Sequence, residues 1–397
     1  MSRRLMLTGN DATAEAMRQI APDVVTCFPI TPQTELMHKF AEHVADGDVD
    51  TELVLVESEH SAMSAAVGAA AAGARAMTAT AANGLALMWE IVYIAASYRL
   101  PIVMPVVNRA LSGPINIHCD HSDTMGCRDT GWIQLYSENA QEAYDNTIQA
   151  LRIAEHPDVL LPVMVTFDGF ILSHTAEILE GLEDAEVKDW IGTYEAKYSL
   201  LNTDEPVTFG PLDLQDYYFE HKRQQVEGMR HAPAVIRDIG RAYGELSGRS
   251  YDLFEAYRLE DAELAVVALG STCGTVKVVV DELREQGTKA GLLKIRSFRP
   301  FPEAEIAEAL GNAKAIGVLD RSISFGAPGG PVHKEIRAAL YGTGHEIGIV
   351  NYIYGLGGRD MSVKHIKTAF AGLEKVAREG TPDDNIRFLG LRGEGGV

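Results

Sequence analysis

Three side chains have the type and placement that acid–base and anion chemistry need. Arg109 closes an almost wholly apolar run, 101–108, within a stretch, 1–150, that holds only eight Lys/Arg. A guanidinium there either binds a carboxylate or phosphate bidentately or pairs with a surface acid. Glu59 lies between an apolar run, 53–56, and an Ala-rich stretch, 61–72. A helix N-terminus favours a carboxylate at that point. It reads as a solvated helix-start acid or as a partly buried acid that holds a proton on a heterocycle. Thr31 stands between the prolines of Pro29-Ile30-Thr31-Pro32, which stiffen the turn by fixing φ. Such a turn aims one hydroxyl at a ligand or simply ends a strand.

Other clusters carry less chemistry. His118, Cys119, His121, Asp123 and Cys127 fall in one segment but match no metal-ligand spacing, and the segment reads as a loop lining a pocket. Asp46, Asp48 and Asp50 alternate as in a calcium loop but lack its Gly and terminal Glu. Gly355-Leu356-Gly357-Gly358 follows an apolar run without completing a dinucleotide fingerprint, so its glycines read as turn residues.

The elements that position these residues follow from alternating apolar runs and helical stretches. Strands are expected at 23–28, 53–56, 76–80, 101–107 and 159–167, with a helix at 61–72 and another opened by Asn83-Gly84 and running to Ile94. Continuously apolar strands separated by helices imply a parallel sheet covered on both faces, with the ligand site beyond the carboxyl ends. Thr31, Glu59 and Arg109 each come just after a strand, which puts them on that edge. A polar segment rich in Asp, Glu, Tyr and Gln comes next and ends in a helix near 232–246. A second α/β unit begins at 263–269, with further strands at 290–295, 315–319 and 346–352. The expected division is 1–175, a connecting segment 176–255, and 256–397, whose glycine-rich end, 392–397, is expected to fray.

The 397 residues carry 35 Lys/Arg and 56 Asp/Glu, a formal net charge of −21 that argues against non-specific binding to nucleic acid or anionic membranes. Hydrophobic residues at 46% suit a globular chain, and no apolar stretch reaches the ~18 residues of a membrane span. The N-terminal apolar run is interrupted by Thr8-Gly9-Asn10-Asp11, so no signal-peptide core is expected. The four cysteines form no C-x-x-C pair and no ferredoxin run, which reads as a reduced, cytoplasmic chain whose electron-carrying clusters would lie elsewhere.

Six motifs occur in order: Cys27-Phe28-Pro29-Ile30-Thr31-Pro32, Glu57-Ser58-Glu59-His60-Ser61-Ala62, Asn108-Arg109-Ala110-Leu111, Arg128-Asp129-Thr130-Gly131-Trp132, Phe298-Arg299-Pro300-Phe301-Pro302 and Gly355-Leu356-Gly357-Gly358-Arg359-Asp360. Together they resemble the α subunit of pyruvate:ferredoxin oxidoreductase and related 2-oxoacid:acceptor oxidoreductases. The resemblance implies a doubly wound α/β pyrimidine-type thiamine diphosphate domain over 1–175 and a transketolase C-terminal-like α/β domain over 256–397. It implies that Glu59 hydrogen-bonds N1′ of the cofactor's aminopyrimidine, assisting loss of the thiazolium C2 proton. It implies that Arg109 pairs with the substrate carboxylate and that Thr31 contacts substrate. A β subunit would carry the diphosphate and Mg²⁺, and γ and ferredoxin-like δ subunits would bring [4Fe-4S] clusters. Coenzyme A would take the acyl group.

The expected activity is oxidative decarboxylation of a 2-oxoacid to acyl-CoA and CO₂, with pyruvate as the default substrate. Phenylglyoxylate and branched 2-oxoacids are the alternatives, because residues 116–121 do not distinguish a methyl from a larger side chain. A non-catalytic scaffold subunit of the same complex is the other alternative. A nicotinamide dehydrogenase lacks support without the fingerprint.

Overall fold

The computed structural model describes residues 3–380 and 385–393, which form two doubly wound α/β units. The first sheet has seven strands in the spatial order Ser297–Arg299, Ile133–Tyr136, Val163–Asp168, Val103–Asn108, Ala76–Thr78, Val24–Cys27 and Glu52–Leu55. All its pairs are parallel except Ser297–Arg299 against Ile133–Tyr136. The second has six, in the order Ile386–Leu389, Gly348–Tyr354, Ala315–Asp320, Leu264–Ala268, Ala290–Ile295 and Phe254–Tyr257. Only Phe254–Tyr257 runs antiparallel there. In each sheet the strand order reverses beside the first parallel strand, which opens a crevice at the carboxyl ends. These crevices lie between Val24–Cys27 and Ala76–Thr78, and between Leu264–Ala268 and Ala315–Asp320.

Burial explains why the central strands read clearly in the sequence. Every residue of Val103–Asn108 and of Val163–Asp168 is buried, as a strand covered on both faces requires. The helix Glu59–Ala71 starts at Ser58, whose hydroxyl accepts from Ser61 N at 3.2 Å. Its buried residues include Ala62, Ala66 and Ala70, so the helix lies close to the sheet, and Thr26 Oγ1 donates to Ala62 O at 2.8 Å.

Several elements differ from the sequence expectation. The helix expected from Asn83 to Ile94 is two helices, Ala82–Leu87 and Trp89–Ser97, broken at Met88. The polar segment after 175 holds the strand Glu177–Gly181, paired antiparallel with Arg3–Leu7, and the helix Asp184–Ile191. The helix expected near 232–246 begins much earlier and spans Tyr218–Ser247. Its first ten residues are mostly exposed, so they lack the apolar face that marks a helix in sequence. Of the glycine-rich end, 394–397 lie outside the described residues.

The two units are fastened by the chain itself. Two residues after Ala290–Ile295 in the second sheet, Ser297–Arg299 joins the edge of the first. Lys294 Nζ reaches Glu138 Oε2 at 2.6 Å and also bonds Glu142, and Arg296 Nε donates to Asn146 Oδ1 at 2.8 Å.

Candidate active site

Glu59, Thr31 and Arg109 all stand beyond the carboxyl ends of the first sheet. Glu59 opens its helix only four residues after Glu52–Leu55 and is 7% exposed. Its carboxylate has no hydrogen bond or ion pair to any described residue. It faces the loop after Ala76–Thr78. A Cβ placed on Gly84 would stand 2.7 Å from Glu59 Oε1 and 2.5 Å from Thr80 Oγ1, so only glycine fits beside the acid. Thr80 Oγ1 is itself buried without a partner. Beside the acid, then, a buried hydroxyl is left unsatisfied, which is costly unless a ligand completes it.

Arg109 comes directly after Val103–Asn108 and is also 7% exposed. Its Nε donates to Asn116 O at 2.9 Å and NH1 to Thr31 O at 2.9 Å. No carboxylate pairs with it among the described residues. Of the five N–H donors of a guanidinium, three are left for an incoming group. Thr31 is brought against Arg109 through its carbonyl, while its side chain is exposed. Among the described residues, no hydrogen bond or ion pair joins Glu59 to Thr31 or Arg109. The link runs through the loop after Ala76–Thr78, whose Ala82 N shares an acceptor with Arg109.

That acceptor is Asp123, which the sequence suggested only as a member of a rejected metal cluster. Asp123 Oδ2 accepts from Ala82 N at 3.1 Å and Arg109 N at 3.0 Å, and Oδ1 from Asn108 Nδ2 at 2.9 Å and Thr124 N at 2.7 Å. Burial pushes its carboxyl up to about 6, against the pull of these donors. The signal was a buried acid on a short helix, Ser122–Gly126, with nothing in sequence to say which backbone amides it would gather.

The neighbouring loop is held from both units. Cys119, His121 and Asp168 bring ligand atoms within 4.8 Å of one another. The Asp168 carboxylate is already taken, by His121 Nε2 at 2.7 Å, Arg321 NH1 at 3.0 Å and Ser271 N at 3.1 Å. A guanidinium on that carboxylate opposes a cation in the same place. The cluster is a buried ionic joint between the units. Burial works against ionisation, but the His121 and Arg321 charges and the hydrogen bonds from His121 and Ser271 hold Asp168 below the usual carboxylate range. Asp168 and Arg321 were not anticipated, since their juxtaposition joins residues 153 positions apart.

Comparisons with known proteins bear on both units. A family model described as pyruvate flavodoxin/ferredoxin oxidoreductase, thiamine diphosphate-binding, matches residues 15–241. A second, pyruvate:ferredoxin oxidoreductase core domain II, matches 262–366. Pyruvate synthase subunit PorA of Thermotoga maritima is 60% identical over 389 residues, covering 98% of each chain. PorA of Methanocaldococcus jannaschii is 48% identical, and ketoisovalerate oxidoreductase subunit VorA of Pyrococcus abyssi 42%, each again covering 98% of both chains. Among solved structures, the 2-oxoglutarate:ferredoxin oxidoreductase from Magnetococcus marinus superposes with a TM-score of 0.73 at 20% identity. That match covers 92% of this chain and 65%, less than two thirds, of the other. A split-gene transketolase, an inactive β4 tetramer, gives 0.55 at 12% identity over 94% and 98%. Both are likenesses of fold.

Proposed function

The chain belongs to the pyruvate:ferredoxin oxidoreductase family, and we propose that it forms the pyrimidine-side half of a thiamine diphosphate site completed by a second chain. The placement of Glu59 beside Thr80 carries this reading, since a largely buried acid with no hydrogen-bond partner among the described residues stands next to a buried hydroxyl that lacks one. The donor set fits an aminopyrimidine, which offers a ring nitrogen to the acid and an amino group to a neighbouring oxygen.

Thiamine diphosphate, when bound, supplies the carbon nucleophile and the electron sink for decarboxylation. The residues of this chain bind, orient and hold protons around it. Glu59 holds a proton at the pyrimidine N1′, and its low-dielectric surroundings strengthen that contact. Arg109 receives the carboxylate of the 2-oxoacid on its three free N–H groups. Thr31 offers its hydroxyl to the substrate at the mouth of the site. In this reading residues 1–175 form the cofactor unit, 176–255 connect, and 256–397 form the second unit. A β subunit carries diphosphate and Mg²⁺, and γ and ferredoxin-like δ subunits carry the [4Fe-4S] clusters that take electrons one at a time. Coenzyme A accepts the acyl group, and the assembly works in the cytoplasm. No helix among the described residues is long and apolar enough to cross a membrane.

The test is Glu59→Gln in the assembled complex. Pyruvate-dependent reduction of an artificial electron acceptor should drop at least ~100-fold, the lower end of what a lost proton-transfer group costs. Exchange of the cofactor's C2 proton should slow in parallel while thiamine diphosphate still binds. Wild-type exchange in the variant would refute the role of Glu59.

A further inference from the structure

We propose that Asn116 is a positioning residue for the substrate carboxylate, and that the second unit fixes Arg109 through it. The inference rests on reading Arg109 as the carboxylate-binding group. A long guanidinium side chain is only as well aimed as the acceptors that hold it, because its rotamer freedom must be removed by them. Arg109 has two such acceptors, both backbone carbonyls, Thr31 O and Asn116 O. Thr31 lies in the proline-stiffened turn, which Asn10 Nδ2 further holds by donating to Pro32 O at 2.9 Å. Asn116 has no such support of its own. It sits in an irregular loop whose residues 112–115 are exposed.

The Asn116 side chain provides what the loop lacks. Oδ1 accepts from His118 N at 2.7 Å, which closes the loop on itself. Nδ2 donates to Gly357 O at 3.1 Å, which ties it to the second unit. The glycine loop grips the neighbouring residues as well: Gly358 N donates to Cys119 O at 2.6 Å and Gly357 N to Asp120 Oδ2 at 3.3 Å. Gly357 and Gly358 have φ of +59° and +81°, a region that favours glycine. A Cβ on Gly357 would stand 2.4 Å from Asn116 Nδ2, and one on Gly358 2.3 Å from His118 Cβ. These glycines therefore permit a close approach to this loop, and the loop's Asn116 carbonyl takes the Arg109 Nε–H.

The experiment is steady-state kinetics of the assembled complex with Asn116→Ala, Gly357→Ala and Arg109→Lys. With Asn116→Ala we expect KM for pyruvate to rise about tenfold, kcat to stay within about twofold, and KM for coenzyme A to stay unchanged. Gly357→Ala, which presses on the same contact from the other unit, should move KM for pyruvate in the same direction. Adding Asn116→Ala to Arg109→Lys should raise KM little beyond Arg109→Lys alone, since the two act through one group. Unchanged KM for pyruvate in Asn116→Ala, with Arg109→Lys still raising it, overturns the positioning role and leaves the reading of Arg109 intact. Unchanged KM in Arg109→Lys overturns both. Equal rises in KM for pyruvate and for coenzyme A also overturn the proposal, because general loosening would then explain the effect.

Discussion

Replacing Asp168 by Asn should unfasten the joint between the two units. Asp168 ends the strand Val163–Asp168 of the first sheet, and its carboxylate is shared by His121 of that unit with Arg321 and Ser271 of the second. The side chains of Asp168, His121 and Arg321 are each only 1% exposed. Asn keeps the shape but leaves the Arg321 guanidinium without its counter-ion in a place water scarcely reaches. Breaking a buried pair from one side costs about 3–5 kcal/mol. At about 2–4 °C per kcal/mol for a large domain, the unfolding midpoint should fall by roughly 6–20 °C at pH 7. The pH dependence has a definite sign. The folded carboxyl is held below its usual range, so its contribution is complete above the unfolded value near 4. It is lost only as pH falls through the folded value. The carboxyl's own share of the difference between wild type and Asp168→Asn should therefore shrink as pH falls below about 4. Calorimetry and urea unfolding through that fall in pH measure it. Adding Arg321→Met to Asp168→Asn should recover part of the loss, since removing both charges removes the orphan. A loss under about 1 kcal/mol at pH 7, or a difference that fails to shrink below about pH 4, would refute the reasoning.

Two further outcomes concern buried groups. Arg109→Met should lower kcat/KM for pyruvate by about 30-fold to several thousand-fold, the 2–5 kcal/mol of leaving a substrate charge unpaired, with the fold retained by melting analysis. An effect below about threefold would remove Arg109 from the substrate site. His333 is fully buried, and burial, aided by the Arg337 charge, pushes its imidazole down to about 4. The unfolded chain takes up that proton near 6.5 and the folded one does not, so stability should fall as pH drops from about 6.5 to 4. His333→Leu should flatten that slope in urea unfolding, and an unchanged slope would show that another group is responsible.

Much of the scaffold is legible in the sequence because its strands are buried on both faces. Ala290–Ile295 matches its expected bounds to the residue, and Val24–Cys27 and Leu264–Ala268 match to within one, since each is a mainly apolar run. The strands that escape the sequence are those whose partners supply what their own residues lack. Ser297–Arg299 is three residues before a proline and finds its neighbour in the other unit, while Phe254–Tyr257 is a partly exposed edge. The three candidate site residues are visible because each combines a polar group with the end of an apolar run. The groups that hold them are not. Asp123 reads only as one polar member of a His- and Cys-containing loop until the fold gathers four donors around it, and Asn116 acts through a carbonyl that every residue possesses.

The second unit explains why the first is not self-sufficient. In its own sheet the order reverses between Leu264–Ala268 and Ala315–Asp320, where open α/β folds bind ligands at the carboxyl edge. Residues just after those two strands, Ser271 and Arg321, point their donors at Asp168. The second crevice thus has a permanent ligand, and that ligand is a carboxylate of the first unit. Asp168 in turn lies beside Asn108 in the strand register, one residue before Arg109. The glycine loop grips the other side of the same segment through Asn116, so the second unit holds Arg109 from two directions. A sheet that has given its own crevice to the neighbouring unit has become part of the support for that unit's candidate site, and this gives a physical reason for the two units to occur on one chain.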